Sequence, residues 1–187
     1  GQRVAICEQL EDPKKTKTIV KRGIIELVTP GVSFNDNVIS NKENNYLAAV
    51  YFGTKKVGVS FLDITTGEFY AAEGTKEYVE KLLANFAPKE VLYQRGCKEQ
   101  FTEAFGSRYC LYHLEQWIFS LKSATDKLTS QLEVGSLKGF GIEKMESAII
   151  AAGAVLYYLE FTEHRDTKHI TAITRIDEDR YVWLDKY

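Results

Sequence analysis

Cysteine is scarce in this chain: Cys7, Cys97 and Cys110 are the only three, odd in number and without a Cys-x-x-Cys spacing. That pattern gives neither a disulfide framework nor a thiolate metal site, and it fits small buried or half-buried thiols in a reducing cytosol. Charge of one sign is lacking too, since 24 Lys plus Arg face 26 Asp plus Glu for a net charge of −2. The balance offers no global basic surface for nucleic acid, although a local patch stays open. No apolar run reaches 18 residues, so no transmembrane helix is expected. The opening GQRVAICEQLEDPKK lacks the small-residue cleavage site of a signal peptide. It also lacks an initiator Met, and the chain stops at Leu184-Asp185-Lys186-Tyr187 without a terminating signal, so the expectation is a piece of a larger protein. There is no GxxxxGK[ST] phosphate loop, no nucleophile elbow and no internal repeat.

What the chain does have is a folded composition, 44% hydrophobic and 12% aromatic over 187 residues. That length suffices for one substantial core and a smaller attachment. Its organising stretch is Tyr46–Glu73. Leu47–Phe52 is apolar almost throughout, as a strand covered on both faces would be. Val57–Ile64 and Phe69–Ala72 follow, separated by the turn signals Gly53-Thr54-Lys55-Lys56 and Thr65-Thr66-Gly67. The three read as an antiparallel meander whose faces need helices to cover them.

Before the meander, Arg3–Cys7 reads as a short buried strand and Ile24–Thr29 as a second one, stopped by Pro30-Gly31. Two strands make too little core, so they are expected to be the tail of a preceding domain. Ser33–Asn45 is polar and reads as a linker. After the meander, Thr75 caps a helix to about Phe86, Val91–Tyr93 is a strand, and Phe101–Phe105 marks a helix ended by Gly106. Tyr109–Leu114 is a further strand, and Ser123 caps a helix containing Ala124, Leu128 and Leu132. Glu143–Thr162 is the longest helical pattern, with Ala151-Ala152-Gly153-Ala154 small enough for close approach to another element. Ile170, Ile173, Ile176, Val182 and Leu184 are spread through a charged tail expected to begin the next domain. The succession βββαβαβαα, its first three strands antiparallel, is that of an RNase H-like fold. The fold expected is therefore α/β, a mixed sheet with an antiparallel three-strand meander flanked by helices.

Such a sheet raises the alternative of a metal-dependent nuclease, which needs several carboxylates converging on ions. Leu47–Phe52 has no acid. Asp63 reads as a turn or cap residue and Glu68 as solvent-exposed. His113, His164 and His169 have no fixed spacing with acids or cysteines. Gly139-Phe140-Gly141 reads as a turn with an aromatic anchor. Neither a catalytic nor a metal-binding residue is assigned. The only basic cluster is Lys14, Lys15, Lys17, Lys21 and Arg22, a solvated loop or a set of contacts to DNA phosphates.

The segments VAICEQLEDPKKTKTIVKRGIIELVTPGV (4–32), LDITTGEF (62–69), LKGFGIEKMESAIIAAGAVLYYLEFTE (137–163) and His169–Asp185 resemble, in order, four stretches of the MutS family of mismatch-repair proteins. The resemblance implies a division into 1–32, the end of a mismatch-recognition domain; 33–45, a linker; 46–163, an RNase H-like connector; and 164–187, the start of the core or lever domain. It implies a cytoplasmic, nucleoid-associated bacterial parent, a homodimeric clamp that binds mismatched duplex DNA, uses ATP and Mg²⁺, and recruits MutL. The resemblance implies that the family's Phe-x-Glu wedge lies upstream of Gly1 and its P-loop downstream of Tyr187, so no cofactor is expected here and no wedge or nucleotide residue carries over. The connector helix that contacts MutL corresponds to Ser123–Glu133, which implies docking through Asp126, Lys127, Ser130 and Gln131. Asp126 and Lys127 stand where other members carry glutamines.

Overall fold

The strand β3 (Tyr46–Phe52) sits in the middle of a six-stranded sheet because both of its faces are apolar. The computed structural model describes residues 2–9, 22–31, 44–164 and 166–181. β3 pairs antiparallel with β4 (Val57–Asp63), Tyr46 opposite Asp63 and Phe52 opposite Val57. β4 pairs antiparallel with β5 (Phe69–Gly74), which completes the expected meander. On the other side, β6 (Glu90–Gln94) runs parallel to β3, and β7 (Leu111–Leu114) runs parallel to β6. A two-residue strand, β8 (Thr174–Arg175), lies parallel to β5, giving the order β7-β6-β3-β4-β5-β8.

Alternation along the strands divides the core into two. Ala48, Val50, Val59, Phe61 and Val91 face α1 (Lys76–Phe86) and α2 (Lys98–Phe105), where Phe61 stacks on Phe86 at 4.0 Å between ring centroids. Thr75 caps α1 as expected, its hydroxyl accepting from the Tyr78 amide at 3.2 Å. Leu47, Ala49, Leu62, Ala71 and Leu92 face α3 (Leu121–Leu132) and α4 (Glu146–Phe161). Twelve of the sixteen residues of α4 are buried, so this helix has no polar stripe and needs cover all round. The sheet covers one side and α3 another. Its N-terminus carries no side-chain cap of its own. Instead Glu73, at the end of β5, accepts from the amides of Ser147 (3.1 Å) and Ala148 (3.4 Å).

Three expectations differ from what is found. The cap of α3 is Ser120, whose hydroxyl accepts from the Ser123 amide, so Ser123 lies inside the first turn. The first strand, β1 (Val4–Gln9), pairs only with β2 (Arg22–Val28), and Val4 and Ile6 are exposed, because among the described residues no second layer lies over this hairpin. Cys7 is likewise exposed, whereas Cys97 and Cys110 are half-buried. The charged tail contributes β8 and buries Ile170, Ile173 and Ile176 in the same sheet assembly. A short α5 (Glu178–Tyr181) follows. The linker expected at 33–45 lies outside the described residues up to position 43.

Candidate docking face and interdomain junction

Helix α3 turns Ala124, Leu128 and Leu132 inward, as their spacing requires. Asp126 and Ser130, four apart, lie exposed on the outer face. Lys127 and Gln131, the next row round the helix, do not point freely outward. The Lys127 ammonium pairs with Glu160 of α4 and sits 5.0 Å from the centre of the Tyr157 ring. The Gln131 amide donates to the carbonyls of Thr167 (2.9 Å) and Ile170 (3.1 Å), tying α3 to the segment after α4. Between them opens a groove of about 490 Å³, floored by Leu156 and Leu159. Beside it Trp117, 58% exposed, meets Tyr157 edge-on at 5.6 Å, and half-exposed Phe161 extends the aromatic patch.

The carboxylates of the meander are placed for turns. Asp63 Oδ1 accepts from the amides of Thr65 (2.9 Å) and Thr66 (3.3 Å), while Glu68 is exposed and accepts from Asn44 and the Tyr46 hydroxyl. Among the described residues no three His, Cys, Asp or Glu side chains converge as a metal site. His164 Nδ1 lies 2.9 Å from Thr162 Oγ1, and His169 bonds the carbonyl of Ile64. Gly139-Phe140-Gly141 forms a 3₁₀ turn with a left-handed Gly141, and Phe140 packs against the core. Of the basic cluster, Lys14, Lys15, Lys17 and Lys21 lie outside the described residues, and Arg22 opens β2.

A second cluster escaped the sequence entirely. Glu90, which begins β6, is fully buried. Its Oε1 accepts from the Tyr158 hydroxyl of α4 and faces the Arg3 guanidinium of β1 at 3.5 Å. Arg3 also lies over the Tyr112 ring, 4.2 Å from its centre. Burial, and then the negative charge of Glu90, hold the Tyr158 hydroxyl well above the ordinary tyrosine range. Gly31 rests directly on this point: a Cβ there would come 2.9 Å from Leu47 Cδ1 and 3.0 Å from Glu90 Cβ. The Leu27 amide donates to the Thr162 carbonyl at 3.0 Å, one turn beyond Tyr158.

The family model for MutS domain I matches residues 1–37, and that for MutS domain II matches residues 45–171. This chain belongs to the MutS family. Curated MutS relatives align over all 187 residues. The DNA mismatch repair protein MutS of Parabacteroides distasonis is 58% identical, and those of Flavobacterium psychrophilum and Bacteroides fragilis are each 57% identical. In each case the aligned stretch is 22% of the relative's length, so the chain spans about a fifth of these MutS proteins. The Glu90 cluster thus joins the part matched by domain I to the part matched by domain II. No helix among the described residues is long and apolar enough to cross a membrane.

Proposed function

We propose that this chain is the connector portion of a MutS mismatch-repair protein, with the last strands of the recognition domain before it and the opening of the core domain after it. The observation that carries this reading is the match to MutS domains I and II in that order along one chain. An RNase H-like fold for the connector is supported by the strand order β7-β6-β3-β4-β5 and by the succession of three antiparallel strands and then βαβ units. The connector is mechanical and associative rather than catalytic. It passes nucleotide-dependent motion between domains and offers a surface to MutL. The whole protein would be a homodimeric clamp on mismatched DNA, in the bacterial cytoplasm and nucleoid-associated. ATP and Mg²⁺ would act elsewhere in that protein, and no residue of this chain is assigned to them.

Of the four α3 side chains assigned to docking, Asp126 and Ser130 are exposed and would meet MutL. Lys127 and Gln131 hold the helix in place from its inner flank, which supports a fixed rather than adaptable face. Lys14, Lys15, Lys17, Lys21 and Arg22 are assigned to DNA phosphates, which would make any DNA binding by this piece weak and salt-sensitive. The docking assignment is tested by placing a photo-crosslinking residue at Ser130 of the full-length protein, with Glu80 on α1 as the control position. Crosslinks to MutL from 130 but not from 80, dependent on ATP and a mismatch, are expected. Equal yields from both positions would remove α3 as the docking face.

A further inference from the structure

We infer that Glu90 is the pivot of an ionic clasp that locks the β1–β2 hairpin of the domain I portion to the domain II sheet, making the two a single mechanical body. Glu90 places a carboxylate at the head of β6, directly before the buried Val91, Leu92 and Tyr93. Glu90 is fully buried, and a buried charge without partners is strongly unfavourable. Its partners come from both sides of the junction. The Tyr158 hydroxyl reaches it from α4, and the Arg3 guanidinium from β1. Its second oxygen, Oε2, has no hydrogen-bond partner among the described residues, so the carboxylate has little to fall back on if Arg3 leaves. The Arg3–Glu90 ion pair thus links the hairpin directly to the sheet.

The remaining contacts surround the same point. Arg3 covers the Tyr112 ring of β7, Gly31 lies against Glu90 and Leu47, and the Leu27 amide is tied to the Thr162 carbonyl. Sliding the hairpin by a few ångströms would separate Arg3 from Glu90 and strand the carboxylate inside the protein. Partial displacement is therefore the least favourable arrangement, and the junction is either closed or fully open. A motion that reaches the hairpin is passed to β6 and α4 without slack. This inference concerns how two parts of the chain hold together, and it stands whether or not α3 meets MutL.

Site-resolved hydrogen exchange on the 187-residue chain tests it, comparing the Leu27 amide with amides in the β3–β4 ladder. In Arg3→Leu, exchange at Leu27 rises about tenfold or more while the ladder is unchanged, as expected for opening confined to the junction. Adding Glu90→Gln to Arg3→Leu removes the stranded charge, keeps an acceptor for Tyr158, and returns most of the lost protection. Leu27 exchange unchanged in Arg3→Leu, or no recovery in the double variant, overturns the clasp. Loss of ladder protection in Arg3→Leu also overturns it, because the pair would then support the sheet and not the junction.

Discussion

The Cα of Ala124 lies 2.6 Å from the position a Cβ would occupy on Gly153. Helices α3 and α4 touch there through backbone, and the small-residue run 151–154 makes that approach possible. Gly153→Ala should therefore destabilise the protein, although alanine favours helix over glycine by about 1 kcal/mol. Overpacking of this kind costs about 1–3 kcal/mol, and the neighbour here is a Cα that cannot swing aside. Urea denaturation followed by far-ultraviolet circular dichroism should show a lower midpoint. A raised midpoint would mean that the helices separate at little cost.

Glu73 replaces the missing cap of α4 from a distant strand. Glu73→Ala should cost about 1 kcal/mol, in the range of losing an N-cap, with the damage centred on Ser147 and Ala148. Amide exchange at those two positions is the direct check. Unchanged exchange at both would show that solvent or another group satisfies the helix start equally well.

Glu133 ends α3 in the left-handed region, φ 54°, and is exposed. Glycine adopts that conformation freely, so Glu133→Gly should stabilise by about 0.5 kcal/mol after the larger entropy of the unfolded glycine is subtracted. A thermal midpoint one or more degrees below that of the parent chain would contradict the strain assigned to this position.

Burial and Glu90 raise the Tyr158 hydroxyl, so the folded chain keeps that proton longer than the unfolded chain does. Above the ordinary tyrosine pKa of about 10 the unfolded state binds fewer protons, and stability must fall as pH rises. The contribution is complete below that pH and is lost above it. Tyr158→Phe should flatten the alkaline decline of the unfolding free energy between about pH 10 and 11. An identical slope in the variant would show that Tyr158 titrates normally in the folded protein.

The sheet could be read from the chain because its signals are local. Val57–Asp63 and Phe69–Gly74 declare themselves by composition and by the turn between them, and Thr75 stands directly before an apolar period. Ser120 was missed because Leu121 and Lys122, which follow it, are exposed and hide the start of the period. Ile170, Ile173 and Ile176 follow neither a helical nor a strand period, so nothing local announces their burial. Their burial depends on the chain returning to β5, a non-local event. The four α3 side chains named for docking differ in their surroundings. Asp126 and Ser130 are exposed, while the close approach at Gly153 brings Lys127 and Gln131 into contact with α4 and the segment beyond it. Glu90 left no sequence signal, since Arg3 and Tyr158 are 87 and 68 residues away from it.

The central claim is that this piece of a MutS protein works as a docking and coupling module through the exposed row of α3. It is tested most directly by measuring the affinity of full-length Asp126→Arg/Ser130→Arg protein for MutL, with ATP and a mismatched duplex present. Exposed substitutions usually change stability by no more than about 0.5 kcal/mol, so folding, mismatch binding and ATPase activity should be retained. Affinity for MutL should fall by about tenfold, the scale of losing a contact near the middle of an interface. Affinity within about twofold of the parent protein, with the other activities intact, would contradict the account.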